Sequence, residues 1–211
     1  MASNTSSYSD RTLDRFKSKL VGGGARPNLF ECELNFPDGL EDINKDEDFS
    51  FMVKAASLPA SNVNVINVPF RGRNLKVAGD RTFDPWTITV INDTNFKIRD
   101  AFEKWMNFIN RHDDAAGVIT PAAYQKEMKV FQLGRGNVAD GTRGSLPGTG
   151  DQIPVLKSYK FYGVFPTSVS AIELSYDNAD AIEEFTVDLQ VQWWDAAKDD
   201  NQSIFGTDEQ F

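Results

Sequence analysis

The sequence predicts a mainly β fold, an antiparallel β-sandwich or barrel with one flanking α-helix. Short apolar-polar alternations recur along the chain, and they are not interleaved with helices as in a doubly wound parallel sheet. Only one stretch has strong helical periodicity. With 16 Phe and 4 Trp among 211 residues, the chain has enough large apolar side chains for one core.

The first strands are expected after an N-terminal arm. Residues 1–24 are mostly polar and end in three glycines, so we expect this segment to be flexible. Residues 29–36 and 49–53 have strand character, and Pro37-Asp38-Gly39 between them is typical of a turn. We expect the two strands to form a hairpin with a long acidic loop over residues 37–48.

The middle of the chain contains three strand patterns and the helix. The strands are expected over residues 63–70, 75–77 and 86–91. Residues 92–94, Asn-Asp-Thr, can cap a helix, and apolar side chains then recur at helical spacing. This apolar stripe, which we expect to pack on a sheet, comprises Ile98, Phe102, Trp105, Met106 and Ile109.

Three further strands are expected in the second half of the chain, over residues 128–133, 156–165 and 169–176. Residues 134–154, between the first two, are rich in Gly, Pro and Thr. That composition predicts a long loop.

The last strand has the clearest alternation. Its predicted inner face consists of Phe185, Val187, Leu189, Val191 and Trp193, and its outer face of Thr186, Asp188, Gln190, Gln192 and Trp194. From residue 195 the chain looks like a polar tail. The sequence therefore predicts one domain over residues 25–194, followed by a tail over residues 195–211.

Composition argues against several classes of function. A net charge of −9 is unsuited to gripping phosphate backbones. The single histidine, His112, leaves almost no basis for zinc sites or for Ser-His and Cys-His catalysis. Cys32 is the only cysteine, so no internal disulfide can form. No apolar run reaches the roughly 18 residues of a membrane span. We expect no catalytic residue, no cofactor, no metal and no membrane span.

Three local motifs resemble functional sites but lack essential parts. Residues 134–139 match GxGxxA, yet no helical pattern follows. Residues 42–48 have the acidic spacing of a calcium loop without its glycine and its final glutamate. Glu183 and Glu184 are neighbours in a turn, unlike the facing carboxylates of a glycosidase. We interpret these motifs as a loop, a solvated acidic tip and a charged turn.

Charge is distributed unevenly along the chain. No Lys or Arg occurs between Lys160 and Lys198, whereas a basic cluster lies in the middle. Such a layout suits head-to-tail self-assembly, although two ordinary solvated surfaces are the alternative. The candidate assembly patches are the basic residues Arg71, Arg73, Lys76 and Arg81 and the acidic residues Glu173, Glu183 and Glu184.

Local signatures in a fixed order carry a family resemblance. The most specific is VAGDRTFD at residues 77–84, which continues through the strand that ends in Asn92-Asp93. The others lie at residues 25–30, 54–60, 163–167 and 184–193. In these signatures the chain resembles the tail tube proteins of T-even-like contractile-tailed bacteriophages. It differs in a longer arm, two longer loops and an added tail.

The resemblance implies a non-enzymatic structural protein of the virion. Hexameric rings would stack into the inner tail tube through which phage DNA is delivered into the host. The implied partners are further copies of the chain, the tail sheath protein, the baseplate and tail terminator proteins, and the tape-measure protein and DNA in the lumen. The expected location is the virion tail, after assembly in the host cytoplasm. Alternation makes Asp188, Gln190 and Gln192 the candidates to face the lumen.

Alternative functions remain open from the sequence. The nearest is the tube subunit of a type VI secretion system or a related contractile injection system, for which the same fold is expected. A carbohydrate-binding β-sandwich would use an exposed aromatic residue such as Trp194, and a glycosidase would use carboxylates. Tubes in electron micrographs, glycan binding by a monomer, or sugar release distinguish these functions.

Overall fold

A computed structural model describes residues 13–20, 24–38, 50, 52–134, 155–177 and 180–197. Its described part contains nine strands and three helices. In chain order they are α1 (Leu13–Lys19), β1 (Phe30–Glu33), β2 (Val53–Ala56), β3 (Ser61–Phe70), β4 (Arg73–Phe83), β5 (Trp86–Ile91), α2 (Lys97–Ile109), α3 (Pro121–Tyr124), β6 (Lys126–Leu133), β7 (Val155–Val169), β8 (Glu184–Gln190) and β9 (Trp193–Ala197).

Seven strands form one antiparallel sheet in the order β1-β6-β7-β8-β5-β2, with β9 paired to β7. The 15-residue strand β7 belongs to both halves of this sheet. Residues 155–164 pair with β6, and residues 165–169 pair with β8. The predicted fold class, mainly antiparallel β with a flanking helix, is confirmed.

The two halves of the sheet enclose a single main core. Met128, Val130 and Phe161 from the first half join Ile88 and Val187 from the second in one buried cluster. Trp86 of β5 stacks on Phe161 of β7 with ring centroids 4.7 Å apart, so the halves are in direct contact. The alternation predicted for β8 is present, because its residues at 185, 187 and 189 are buried and those between them are not.

Helix α2 closes one end of this core. Its Ile98, Ala101, Phe102 and Trp105 are buried, which confirms most of the predicted stripe. The Phe36 ring, just after β1, makes edge contacts with Phe102 at 5.2 Å and Trp105 at 5.6 Å. Large aromatic side chains thus fix the helix against the sheet.

Strands β3 and β4 form a separate two-stranded sheet, which we call the arm. A two-residue turn, Arg71-Gly72, connects them with φ angles of 45° and 80°. Positive φ at both positions is the geometry of a tight turn that matches the twist of a hairpin. β4 has 11 residues, far more than the three expected at 75–77. The strands were therefore located correctly but their extent was underestimated.

The predicted hairpin between residues 29–36 and 49–53 is wrong. β1 pairs with β6, and β2 pairs with β5, at opposite ends of the sheet path. Phe30 lies opposite Gln132, about one hundred residues along the chain. Their closeness in sequence favoured a hairpin between β1 and β2. In the structure each of these strands instead pairs with a strand that is distant in sequence, and both pack on the same core.

The predicted continuous strand over residues 184–194 is also wrong in its last part. β8 ends at Gln190, and the chain turns at Val191 and Gln192 before β9 pairs with a different strand. This break reverses the alternation, so Trp193 is 47% exposed instead of buried. β9 continues to Ala197 with Ala196 buried, so the predicted start of the tail at residue 195 falls inside a strand.

Several expectations fall on residues outside the described part of the chain. They include most of the N-terminal segment over residues 1–24, which is distinct from the arm formed by β3 and β4. They also include the acidic loop beyond residue 38 with its calcium-like motif, and the long loop with its GxGxxA motif beyond residue 134. The tail beyond residue 197 also lies there. The division into N-terminal segment, domain and tail therefore stays a prediction.

Candidate functional site

A row of exposed apolar side chains lies on the arm. Beyond a register shift between residues 63 and 65, each strand alternates regularly towards the turn. Ile66 faces Val77, Val68 faces Leu75, and Phe70 faces Arg73 across the arm. Residues in such pairs point to the same side of a sheet. The apolar residues of this side, Ile66, Val68, Phe70, Leu75 and Val77, are 43–66% exposed, and we call them the arm face.

The basic assembly patch predicted from sequence lies on the same arm. Arg71 is in the turn, its guanidinium 5.3 Å from the centre of the Phe70 ring. Arg73 and Lys76 follow on β4, and Arg81 lies nearer the root of the arm. Arg73, Lys76 and Arg81 make no ion pair within the part of the chain that the structure describes. The structure thus gathers four cations on one exposed hairpin.

Sequence reasoning identified the charges of the arm but missed its apolar face. Residues 66–70 and 75–77 alternate like any strand that is covered on one side. That pattern shows that a strand has an apolar face, but not whether the same molecule covers it. The one sequence feature that could have revealed this face is the number of apolar side chains in the strands before and after the Arg71-Gly72 turn.

The predicted acidic patch lies in the connection between β7 and β8. Residues 171–184 contain five acidic residues and no basic one. The connection forms a groove of about 600 Å³, which we call the acidic groove. Its lining includes Glu173, Glu183 and Glu184 together with three exposed apolar side chains, Leu174, Tyr176 and Ile182, which are 72–107% exposed.

Two of these carboxylates already have partners inside the subunit. Asn92 Nδ2 donates a hydrogen bond of 3.0 Å to Glu183 Oε2, and Lys54 Nζ forms an ion pair with Glu184. Glu173 is exposed and makes no contact of either kind within the described ranges. Glu183 and Glu184 are thus held by different residues. The sequence placed both in a turn, but Glu184 is the first residue of β8 and pairs with Ile91.

A polar surface covers the outer side of the second half of the sheet. Asp188 and Gln190, two of the three candidates for the lumen, lie on this side of β8. Thr87 Oγ1 of β5 donates a hydrogen bond of 2.7 Å to Asp188 Oδ1. Thr89 and Thr186 are opposite each other in the register and continue the hydroxyl-rich surface. We call this surface the polar face.

The third lumen candidate, Gln192, is not in this row. It lies in the turn after β8, where its backbone N–H donates to Tyr162 O at 3.1 Å. Its side chain packs against Gly163 of β7. The break in the last strand thus separates Gln192 from Asp188 and Gln190.

Both borders of the second half-sheet are open in the described part of the chain. β2 pairs with β5 alone. Residues 165–169 of β7 pair with β8 on one side and have no strand on the other. Backbone N–H and C=O groups along such borders are ready to pair with another strand.

The aromatic residue proposed for sugar binding is not available as a platform. Trp194 is half-buried against the core and makes edge contacts with Phe83 and Tyr159. Trp193 is exposed instead and stacks on Tyr162 with ring centroids 3.8 Å apart. The carbohydrate alternative therefore loses the residue on which it was based.

Metal binding and cysteine chemistry can be assessed on the described residues. These residues contain no cluster of three or more His, Cys, Asp and Glu side chains placed to hold a metal ion. Burial raises the pKa of the Cys32 thiol to about 12, with a smaller contribution from the Glu31 carboxylate, so the thiolate nucleophile is suppressed. Among the described helices, none is long and apolar enough to cross a bilayer.

Solved structures with a similar fold come from an anti-feeding prophage and from an extracellular contractile injection system. A solved chain in the cryo-EM structure of the anti-feeding prophage cap, the tube terminating cap, has a TM-score of 0.54 at 15% identity, covering 83% of this chain and 91% of that one. A chain in the sheath-tube complex of the extracellular contractile injection system PVC has a TM-score of 0.51 at 12% identity, covering 86% and 97%. At these identities the likeness concerns the fold alone.

Sequence comparison is more specific. The tail tube protein gp19 of Enterobacteria phage T4 is 33% identical over 174 residues, which cover 82% of this chain and 93% of that protein. The tail tube protein of Serratia phage KSP90 is 23% identical over 181 residues, covering 85% and 93%. The family model described as "Phage tail tube protein" matches residues 25–197. The chain therefore belongs to the phage tail tube protein family.

Proposed function

We propose that this chain is the non-enzymatic structural subunit of the inner tail tube of a contractile phage tail. Rings of six copies stack into a hollow cylinder through which DNA passes into the host. The count of six comes from the family resemblance. Because the relatives at 33% identity are phage proteins, a phage tail is favoured over a secretion system.

The arm face is the observation that carries this proposal. An isolated two-stranded hairpin is at best marginally stable in water, and it needs a further layer over its apolar side. Five exposed apolar side chains on one side of the arm lack such a layer within the described subunit. Contiguous exposed apolar surface of this kind marks a protein interface. In a tube protein, the natural cover is a second copy of the chain.

The open borders of the second half-sheet give a route to a closed ring. The border of β2 on one copy would pair with residues 165–169 of β7 on the next copy. Such a contact joins two different surfaces, so repeating it closes a ring when the rotation allows. It would also satisfy the unpaired backbone groups. The inner wall of the tube would then be one continuous sheet.

In such a ring the polar face would line the bore. Asp188 and Glu184 are its acidic groups, and Lys54, its basic neighbour, is already paired with Glu184. A surface of hydroxyls, amides and carboxylates offers no free cation to phosphate, so DNA and a tape-measure protein can slide. Asp188 and Gln190 stay lumen candidates, whereas Gln192 leaves the row.

The outer partners follow from the same assembly. Structures of the same fold come from a sheath-tube complex, from a sheath and tube terminator and from a baseplate. We extend to this chain a sheath around the tube, a baseplate at one end and a terminator at the other. The location would be the virion tail, after assembly in the host cytoplasm.

A pair of neighbouring substitutions tests the arm face. Val68→Asp places a charge on the arm face, whereas Asn67→Asp places the same charge on the opposite side of β3. Both positions are exposed, so both variants should unfold at the temperature of the unaltered protein. Negative-stain microscopy should show tubes for the unaltered protein and for Asn67→Asp, and none for Val68→Asp. Tubes of normal length and yield from Val68→Asp would contradict the proposal.

A further inference from the structure

The arm and the acidic groove have complementary surfaces on the same chain. The end of the arm carries Arg71 in the turn and Arg73 on the same side as Phe70 and Leu75. The groove carries Glu173 and Glu183 beside the apolar side chains Leu174, Tyr176 and Ile182. Each surface therefore combines an exposed apolar part with charges of one sign, and the signs are opposite.

Much of each surface is uncovered inside the subunit. Arg73 has no ion pair, and neither has Glu173, within the described residues. Leu174 is 80% exposed and Phe70 is 66% exposed. A subunit with both surfaces uncovered can bind a second copy through them, and that copy keeps one free surface of each kind for the next.

Building on the tube assembly proposed above, we propose that the end of the arm of one copy docks into the acidic groove of another copy. The Phe70 and Leu75 side chains cover Leu174, Tyr176 and Ile182 of the receiving copy. Arg71 and Arg73 lie against Glu173 and Glu183. Opposite charges rimming an apolar contact mainly select partner and register, and like charges there act strongly against binding.

The length of the arm makes a contact between copies reachable. β3 has ten residues, so the arm extends roughly 30 Å at about 3.4 Å per residue. Its root is held at the body by the hydrogen bond from Asp84 N to Ala60 O, 3.0 Å long, and by the Phe83 contact with Trp194. An arm anchored at its root and uncovered at its end is suited to bridging neighbouring subunits.

Charge reversal with rescue tests the proposal. The arm variant is Arg71→Glu with Arg73→Glu, and the groove variant is Glu173→Lys with Glu183→Lys. Assembly of purified protein is measured as pelleted protein and as tube length in micrographs. We expect each variant alone to lose at least tenfold in pelleted tubes. A chain carrying all four substitutions should recover at least half of the unaltered yield.

Mixing the two variants gives a second readout. The acidic arm of the first variant fits the basic groove of the second, and the basic arm of the second fits the acidic groove of the first. An equimolar mixture should therefore form tubes that neither variant forms alone. A general effect of charge on solubility or folding would not give this rescue.

Folding controls keep the result decisive. Each variant is checked for an unaltered thermal midpoint as a monomer. Because Glu183 accepts the Asn92 hydrogen bond, Glu173→Lys alone replaces the groove variant if the double substitution unfolds. Normal assembly of the folded single-surface variants, or failure of both rescues, would overturn the arm-and-groove contact while the tube proposal stood. If the unaltered protein formed no tubes, both proposals would fall.

Discussion

Individual side chains hold the helix to the sheet through a few specific contacts. Trp105 is fully buried, and its Nε1 donates a hydrogen bond of 2.9 Å to the carbonyl oxygen of Tyr124 in α3. Its ring also contacts Phe36 and stacks near Phe102. Trp105 thus connects α2, α3 and the segment after β1, so its replacement should destabilise that end of the core.

Trp105→Phe tests this connection. Phe keeps most of the apolar contact but removes the donor and leaves the Tyr124 carbonyl, on a half-buried residue, without this partner. We expect the free energy of unfolding to fall by about 1–2 kcal/mol. Trp193→Phe is the matched control, because Trp193 is exposed in the subunit, and its effect should stay within about 0.5 kcal/mol. Equal losses in urea denaturation of both variants would contradict this account.

The Cys32 thiol gives a second test at this scale. It is completely buried, and its pKa of about 12 keeps it protonated at neutral pH. We expect no alkylation of the native subunit by iodoacetamide at pH 8, and complete alkylation after denaturation, measured by intact mass. Labelling of the native protein within minutes, with its circular dichroism unchanged, would show that the thiol is accessible.

At the scale of elements, strand β7 depends on one glycine. Lys126 and Met128 of β6 face Val164 and Phe161 of β7, so β7 carries one extra residue there. Gly163 lies in this bulge with φ of 62°, next to the point where β7 leaves β6 and joins β8. A bulge with glycine in the left-handed region bends a strand, and here it redirects the strand from one half of the sheet to the other.

Gly163→Ala should therefore destabilise the subunit by about 1–2 kcal/mol, because a Cβ at positive φ is strained. The new Cβ would also lie 2.5 Å from Gln192 Cγ. Adding Gln192→Ala should remove the contact with Cγ but keep the Gln192 Cβ at 3.0 Å and the backbone strain, so stability should recover only in part. Full recovery in the double variant, measured by thermal unfolding, would show that the backbone conformation carries no strain.

The sequence revealed most single strands but few of their partners. The strand predicted over residues 169–176 is wrong, because β7 ends at Val169 and the residues after it belong to the connection to β8. Alternation located β5 and β8 because each buries one side in the subunit's own core. It could not show that β1 pairs with β6 rather than with a strand twenty residues away, since pairing depends on contacts distant in sequence. The same limit hid the exposure of the arm face, because an apolar face looks alike in sequence whether or not its own subunit covers it.

At the scale of the whole molecule, the described residues form a sandwich with an arm that they leave uncovered and two strand borders that they leave open. These features are liabilities for a monomer, and the proposed assembly would remove them. The charged patches that were predicted from the sequence lie beside exposed apolar side chains, both on the arm and in the acidic groove. Charge asymmetry along the sequence was thus a useful guide to candidate surfaces, although it gave no geometry.

The bore can be tested by adding positive charge to its proposed lining. Asp188→Lys with Gln190→Lys replaces two groups of the polar face, and Glu33→Lys, on β1 of the first half-sheet, is the control. Tubes of the first variant should retain short DNA fragments at low salt and release them as salt increases. The control should retain at least tenfold less. Equal retention by both would contradict the placement of the polar face in the bore.

A helical cryo-EM reconstruction of the assembled protein tests the central claim most directly. We expect a hollow cylinder in which every arm is covered by other copies, the β2 border is paired with a neighbour, and Asp188 lines the bore. A cylinder whose arms stand free in solvent, or a protein that stays monomeric even with a nucleating baseplate, would contradict it.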